Sequence, residues 1–127
     1  MKKMILAYNF SEERLSGVKR SAVAVRAVVK AVPAESFGEK IGHLIGIPGY
    51  EQEGAAPDGS FSDEMLLMSG FDSADIDMLI KALRKYGVGR VALKAIVTET
   101  NTGWSSTELY AAVKADHEEM QKRSSGN

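Results

Sequence analysis

The sequence contains no cysteine, and only three of its 127 residues are proline. The absence of cysteine excludes a disulfide framework, a thiol nucleophile and any metal site built on thiolates. It also suits a reducing compartment, so we expect a cytoplasmic protein. No apolar run approaches the roughly 18 residues that cross a bilayer. The apolar run at 4–8 is too short for the core of an export signal, and we expect no membrane partner.

An excess of charge of one sign is also missing. The 16 Lys and Arg residues nearly balance the 17 Asp and Glu residues, which leaves a net charge of -1. Because nucleic-acid binders usually carry an overall basic charge, we predict no nucleic-acid partner. The two histidines, His43 and His117, lack a spaced set of further ligands, which predicts no metal site. We recognise no cofactor and no catalytic residue, and an enzyme is the least favoured function.

What the chain does contain is typical of one globular domain. Hydrophobic residues make up 44% of it and charged residues 26%. Four short apolar runs that predict strands alternate with four segments whose apolar residues recur at the helical period. The predicted strands are 4–8, 27–32, 64–68 and 90–97, and the predicted helices are 12–26, 37–45, 73–86 and 106–121.

Residues that favour the N-cap position mark where the four helices begin. Ser11, Asp72 and Ser105 each lie between two large apolar residues at the spacing of a hydrophobic staple. Ser36 precedes Glu39 by three positions, which is the spacing of a capping box, and therefore predicts the start of the second helix.

An internal repeat divides the domain into two β-α-β-α halves. Met4-Ile5-Leu6 matches Met65-Leu66-Leu67 at a distance of 61 residues, and Lys30-Ala31-Val32 matches Lys94-Ala95-Ile96 at 64. Chance similarity between two strand–helix units is the alternative explanation. The single domain 1–127 is divided into halves 1–45 and 64–121, a connecting loop at 46–62 and a polar tail at 122–127.

The alternation of strands and helices predicts an α/β sandwich built on a four-stranded sheet. Strands one and three are apolar on both faces and should be central, whereas Lys30 and Lys94 mark strands two and four as edges. A parallel sheet in the order 2-1-3-4, with the second helix as a crossover, satisfies these positions and is favoured. A ferredoxin-like α+β sandwich is the alternative.

Charged residues are segregated along the chain. Residues 51–78 contain eight acids and no Lys or Arg, and residues 14–30 contain five basic residues and no acid. Together with the long loop at 46–62, these segments favour contact with a charged partner or with a second copy. A protein-interaction module or homodimerisation domain is therefore one candidate function. Two ordinary solvated surfaces are the other explanation of the charges.

The favoured function is a non-catalytic small-ligand-binding or regulatory domain, with a site for an anionic small molecule where the fourth strand meets the fourth helix. Ligands of open α/β sheets bind outside the carboxyl ends of strands, and a helix N-terminus offers free amides to an anion. Against this, Glu99 and Glu108 would repel an anion, and a purely structural helix cap is the alternative. The predicted ligand-binding residues are Lys94, Thr98, Thr100, Asn101 and Trp104.

Two segments of the second half carry a resemblance to a known family. Residues 64–71 read E-M-L-x-M-x-G-F, and residues 94–104 read K-A-x-x-T-x-T-N-x-x-W. The sequence resembles a bacterial family of small domains of unknown function that shares both signatures. Longer members of that family also resemble the first half, around residues 37–46. The resemblance supports the position of the predicted site and implies no activity.

Overall fold

The computed structural model describes residues 3–54 and 59–125, so that 55–58 of the predicted loop and 126–127 of the predicted tail lie outside the described residues. Its strands are β1 (Met4–Tyr8), β2 (Val28–Ala31), β3 (Met65–Ser69) and β4 (Leu93–Ile96). Its helices are α1 (Glu12–Val23), α2 (Ile41–Leu44), α3 (Ser73–Lys85) and α4 (Ser106–Ser125). The predicted alternation is confirmed, although α2 is only one turn and α4 continues past its predicted end at 121.

The strands form one sheet in the order β2-β1-β3-β4, as predicted. The outer pairs are parallel, but β1 and β3 are antiparallel, so the sheet is mixed and the prediction of a fully parallel sheet is wrong. After β2 the chain first reaches the opposite end of the sheet, where Tyr50 lines a cavity with Ser69, the last residue of β3. It then returns to the carboxyl end of β1, where Asn9 donates to the carbonyls of Phe61 and Asp63. Because β3 starts there, it runs back along β1.

An approximate two-fold axis through the centre of the sheet relates the two halves. Leu6 of β1 lies opposite Leu67 of β3, and the repeat makes these same two residues equivalent. Left-handed φ angles recur at equivalent positions: Asn9 (65°) and Gly70 (78°), then Arg26 (58°) and Gly87 (81°). The internal repeat is therefore a repeat of structure as well as of sequence.

The repeat is displaced by one residue at the edge strands. Ile5 pairs with Val29, and its equivalent Leu66 pairs with Lys94. Lys94 is therefore the counterpart of Val29, and the predicted match of Lys94 with Lys30 is wrong by one position. Because a shift of one residue moves a side chain to the other face, Lys30 and Lys94 lie on opposite faces of the sheet. Both strands still occupy the edges, as predicted.

Helices cover both faces of the sheet, which is an α/β sandwich and not the ferredoxin-like alternative. On one face, here called the α1/α3 face, helices α1 and α3 bury Val18, Ala22, Leu79 and Leu83. The opposite α2/α4 face buries Phe37, Ile41, Leu44 and Leu109. In the described part of the chain, no helix is both long enough and apolar enough to cross a membrane.

Three of the four predicted helix starts are confirmed by first-turn amides that donate to the side chains of Ser11, Asp72 and Ser105. The fourth is wrong, because α2 begins at Ile41 and not after Ser36. Its N-cap residue, Lys40, makes no side-chain cap. The carboxylate of Glu39, which the capping box required, is used elsewhere in the fold, as described below.

Candidate functional site

A cavity of about 390 Å³ opens at the carboxyl ends of β3 and β4. Its apolar wall comes from the chain after α2 and the residue after β4, namely Ile45, Ile47, Tyr50 and Val97. The remaining lining is polar or small and consists of Ser69, Gly70, Thr98, Glu99 and Thr102. A mostly apolar hollow of this size with a few polar groups has the composition of a small-molecule site.

The ring of Tyr50 is held in the cavity wall by its close approach to α2. A Cβ atom added at Gly42 would lie 2.6 Å from the ring, so only glycine allows this contact. The Tyr50 hydroxyl forms a hydrogen bond with Thr102 Oγ1 at 3.2 Å. Its carbonyl oxygen lies 3.2 Å from Nδ1 of His43. These contacts tie the segment after α2 to the turn after β4 and so fix the two sides of the cavity.

The turn after β4 is stabilised by its own side chains. Asn101 Oδ1 accepts a hydrogen bond from the backbone N–H of Thr98 at 2.8 Å, and its Nδ2 donates to the carbonyl of Ile96 at 3.1 Å. Thr98 Oγ1 accepts from the N–H of Asn101 at 3.2 Å. Thr102 Oγ1 lies 2.9 Å from the carbonyl of Glu99, to which it donates. Asn101 is therefore occupied in building the turn.

The structure places the five predicted site residues in different surroundings. Thr98 lines the cavity, and Thr100 is exposed on the same turn. Asn101 is buried beneath the turn, at 7% exposure. Trp104 packs on the α2/α4 face, and its carbonyl accepts from the N–H of Ile41. Lys94 lines a separate cleft on the α1/α3 face.

Ligand binding at these residues stays a prediction. Of the cavity residues that the sequence did not indicate, Ile45, Ile47 and Tyr50 lie in the long loop or just before it. The Gly-rich turn at 46–49 was the only signal there, and it indicates a loop without showing what the loop covers.

A buried carboxylate anchors the loop that supplies Tyr50. Glu39 is only 4% exposed, and its two oxygens accept the backbone N–H groups of Glu53 and Gly54, each at 2.8 Å. Such charge-assisted bonds are about twice as strong as neutral ones. The described residues of 46–62 contain no helix or strand, yet this contact holds them against the body of the domain.

The far end of the same loop is fixed to α4 by a second carboxylate. Asp63 accepts from the hydroxyl of Tyr110 at 2.7 Å and from Nζ of Lys114 at 2.9 Å. These two bonds lower the pKa of Asp63, and they raise the pKa of Tyr110 and of Lys114. The ring of Phe61 stacks on Tyr110 with centroids 3.9 Å apart. The arrangement is an anchor for the chain before β3.

Tyr8 is the most strongly perturbed titratable group described. Burial raises its pKa well above the usual range, and the 2.7 Å hydrogen bond to Ser106 Oγ offsets only part of that effect. Because its hydroxyl is enclosed on the α2/α4 face at the start of α4, it serves packing there. Among the described side chains, no three from Asp, Glu, His or Cys are grouped so that they could hold a metal ion.

Comparison with known proteins gives one match. Residues 64–120 match the model of a family described as a domain of unknown function, DUF3783. No curated protein and no solved structure matches the chain. The matched range begins just before β3 and ends within α4, so it covers the second half and contains both sequence signatures. The second half is thus similar to an uncharacterised domain family, and this similarity brings no activity with it.

Proposed function

We propose that the protein is a non-catalytic domain that binds a small molecule in the cavity at the carboxyl ends of β3 and β4. The cavity itself carries the proposal: about 390 Å³, with an aromatic ring and three aliphatic side chains facing a few polar groups. Small-molecule sites typically occupy 300–1,000 Å³ and combine an apolar lining with few polar contacts.

The charge of the lining narrows the class of ligand. Glu99 is the only charged residue among the described residues that line the cavity, and no cation faces it there. An anion would therefore be repelled, whereas an amine or a neutral hydroxyl compound would find an acceptor. Thr98 and Thr102 add hydroxyl groups, and Tyr50 adds an aromatic face. The favoured ligand has an apolar or aromatic body and a neutral or cationic polar end.

The test is a fragment titration followed by backbone amide chemical shifts. The panel contains aromatic amines, neutral alcohols and carboxylates of similar size. We expect amines or alcohols to produce saturable shifts at Ser69, Val97 and Thr102, and carboxylates to produce none. Saturable shifts confined to other parts of the chain, or no binder in the panel, would count against the proposal.

A matched pair of variants separates cavity binding from surface binding. Thr98 and Thr100 are both exposed on one turn, but only Thr98 lines the cavity. Thr98→Trp should fill the cavity and abolish the shifts, while Thr100→Trp should leave them unchanged. Equal loss in both variants would show that the binders do not use the cavity.

The alternative of an interaction module or homodimer stays a prediction, and one observation favours it. Strand β2 is an edge strand that is poorly covered, with Val28 45% exposed, and nearby Val23 at the end of α1 is 74% exposed. An edge with exposed valine invites pairing with a second copy. Light scattering at low and high concentration tests this: a dimer that Val28→Lys dissociates would support it, and a monomer at both concentrations would oppose it.

A further inference from the structure

A second, smaller hollow lies on the α1/α3 face between the end of α3 and the start of β4. Its volume is about 110 Å³. Ile80, Leu83, Gly89 and Val91 form its wall, and the charged residues that line it are Arg84, Arg90 and Lys94. We call it the basic cleft, because all three charged residues are cations and no acidic residue among those described lines it.

The cations of the basic cleft are not neutralised by other described residues. The guanidinium groups of Arg84 and Arg90 make no hydrogen bond or ion pair there. Lys94 Nζ donates to the carbonyl of Val91, which leaves two of its three N–H donors free. The carbonyl of Leu83, at the end of α3, is already bonded by the N–H groups of Val88 and Gly89.

Two acids beside the basic cleft have partners of their own. Arg90 also lines an adjoining depression that includes Asp63 and Glu64. Asp63 is bonded by Lys114 and Tyr110, as described above. Glu64 is held by Arg14 through two hydrogen bonds of 2.5 and 2.8 Å. Each carboxylate is therefore already paired with another cation, and neither forms an ion pair with Arg90.

The two-fold symmetry shows that the fold does not require the charges of Arg84 and Lys94. Val29 is the counterpart of Lys94 through the pairing of Ile5 and Leu66. Val23 is the counterpart of Arg84 at the same position in the helix. The first half folds with valine at both places, so packing does not explain these two cations of the second half.

From this geometry we infer that the basic cleft binds the phosphate group of a small phosphorylated molecule. A volume of about 110 Å³ admits one tetrahedral oxyanion and leaves the rest of the molecule outside. Arginine forks match the oxygens of phosphate, and a phosphate monoester carries close to two negative charges at neutral pH. Three cations suit that charge better than the single charge of a carboxylate.

The state of Lys94 agrees with this assignment. Burial is the larger cause that lowers the pKa of Lys94, and the positive charge of Arg90 lowers this pKa further. An isolated, partly buried ammonium next to a second cation is unfavourable, and a bound dianion would relieve both effects.

The test uses the full chain, with inorganic phosphate and pyrophosphate as probes. Both are titrated at constant ionic strength while the amide shifts of Gly89, Arg90 and Val91 are followed, and acetate is titrated as a monocarboxylate comparison. We expect saturable shifts for both phosphates, with pyrophosphate the tighter, and much weaker shifts for acetate. Linear, unsaturated shifts, or equal binding of acetate, would overturn the inference.

Three variants that each remove one positive charge complete the test. Lys94→Gln and Arg90→Gln should each weaken pyrophosphate binding by about tenfold, the effect of losing one charge-assisted bond. Lys81→Gln, on the exposed side of α3, removes the same charge outside the cleft and should change affinity less than twofold. An equal loss in Lys81→Gln would overturn a specific site. So would tight binding of a single-stranded oligonucleotide without saturable binding of phosphate.

Discussion

The two β-α-β units of the sheet have similar backbone conformations, but they carry opposite charges where they contact each other. In one contact Lys3 bonds Asp75 at 2.7 Å, and in the other Arg14 bonds Glu64 at 2.8 Å. Lys3 and Glu64 hold equivalent positions in the repeat, and so do Arg14 and Asp75. Each contact joins the first half to the second, with the charges exchanged between them.

The exchange of charge favours the pairing of unlike halves. Two copies of the first half placed around the same axis would bring Lys3 against Arg14, and two copies of the second would bring Glu64 against Asp75. Like charges in contact disfavour the wrong partner. Three of these four residues, Arg14, Glu64 and Asp75, lie in the charged segments that the sequence suggested for contact between molecules, and here they join the halves of one chain.

The halves also differ in what they place at the ends of their strands. The first half has its own hollow of about 430 Å³ at the carboxyl ends of β1 and β2, lined in part by Asn9 and Pro33. Asn9 is occupied there, because its Nδ2 donates to the carbonyls of Phe61 and Asp63. The second half has Tyr50 brought over its strand ends and a basic cleft at the other end of β4. The features that suit a ligand therefore lie around the strands of the second half, although the loop at 46–62 supplies part of the cavity wall.

The largest expected loss of stability comes from substitutions in the core where the two halves meet. Leu6 and Leu67 are both fully buried and lie opposite each other on the two-fold axis. Leu6→Ala and Leu67→Ala should each lower the free energy of unfolding by about 2–5 kcal/mol, because each leaves a cavity in the core. Urea unfolding measures both. A loss below about 1 kcal/mol in one variant beside a large loss in the other would show that the halves do not share one core.

A smaller effect on stability is expected at the turns that follow α1 and α3. Arg26 and Gly87 have φ angles of 58° and 81°, in the left-handed region that favours glycine. Gly87→Ala should therefore lower the free energy of unfolding by about 1–2 kcal/mol, since open space around it leaves backbone strain as the main cost. Arg26→Gly should raise it, by up to about 1 kcal/mol. Opposite signs in thermal unfolding would confirm the equivalence, and a destabilised Arg26→Gly would contradict it.

The ion pairs between the two halves should contribute less to the free energy of unfolding than the core and turn residues do. Arg14→Glu should destabilise the fold by placing a second carboxylate against Glu64, and adding Glu64→Arg should recover part of the loss. We expect a coupling energy of about 1 kcal/mol from the double-mutant cycle, because both partners are partly exposed. Recovery should be incomplete, since Arg14 also donates to the carbonyl of Val88. Additive single losses would show that the pair is not coupled.

The smallest expected effect is a change with pH at the other ion pair. The hydrogen bond from Lys3 holds the pKa of Asp75 below its ordinary value near 3.8. The stabilisation is therefore fully present above that value and is lost as the pH falls through the lower pKa of the folded state. Asp75→Asn should lower the urea midpoint at pH 7, and the difference from the parent should shrink in acid. Asp77→Asn, an exposed neighbour, is the control; a deficit in Asp75→Asn that is constant with pH would contradict the assignment.

Local features of the fold could be predicted from the sequence, and long-range ones could not. The position of β1 at 4–8 and the caps at Ser11, Asp72 and Ser105 depend on neighbouring residues, and they were predicted correctly. The direction of β3 was not predicted correctly, because it depends on the end of the sheet to which the long segment after β2 returns. The one-residue shift that separates Lys30 from Lys94 depends on strand pairing, which composition does not reveal.

The candidate site shows the same division. The turn at 98–102 lies where the sequence suggested, after the fourth strand. The loop that carries Tyr50 is anchored where Glu39 binds the amides of Glu53 and Gly54, a contact that no periodic pattern in the loop indicates. Glu39 had been assigned to a capping box, since its spacing from Ser36 fits that motif equally well. A carboxylate at a common spacing does not reveal which amides it will bind.

The central claim is that the charges of the basic cleft serve binding. The fold itself should be equally stable with the uncharged valines that occupy the equivalent positions of the first half. The most direct measurement is the free energy of unfolding of Lys94→Val, which gives the second half the residue of its counterpart Val29. Because Lys94 is partly buried beside Arg90, and no carboxylate among the described lining residues offsets its charge, we predict a stability equal to or above that of the parent. A loss of more than about 1 kcal/mol, comparable to a typical destabilising substitution, would show that Lys94 is a structural residue and would contradict the claim.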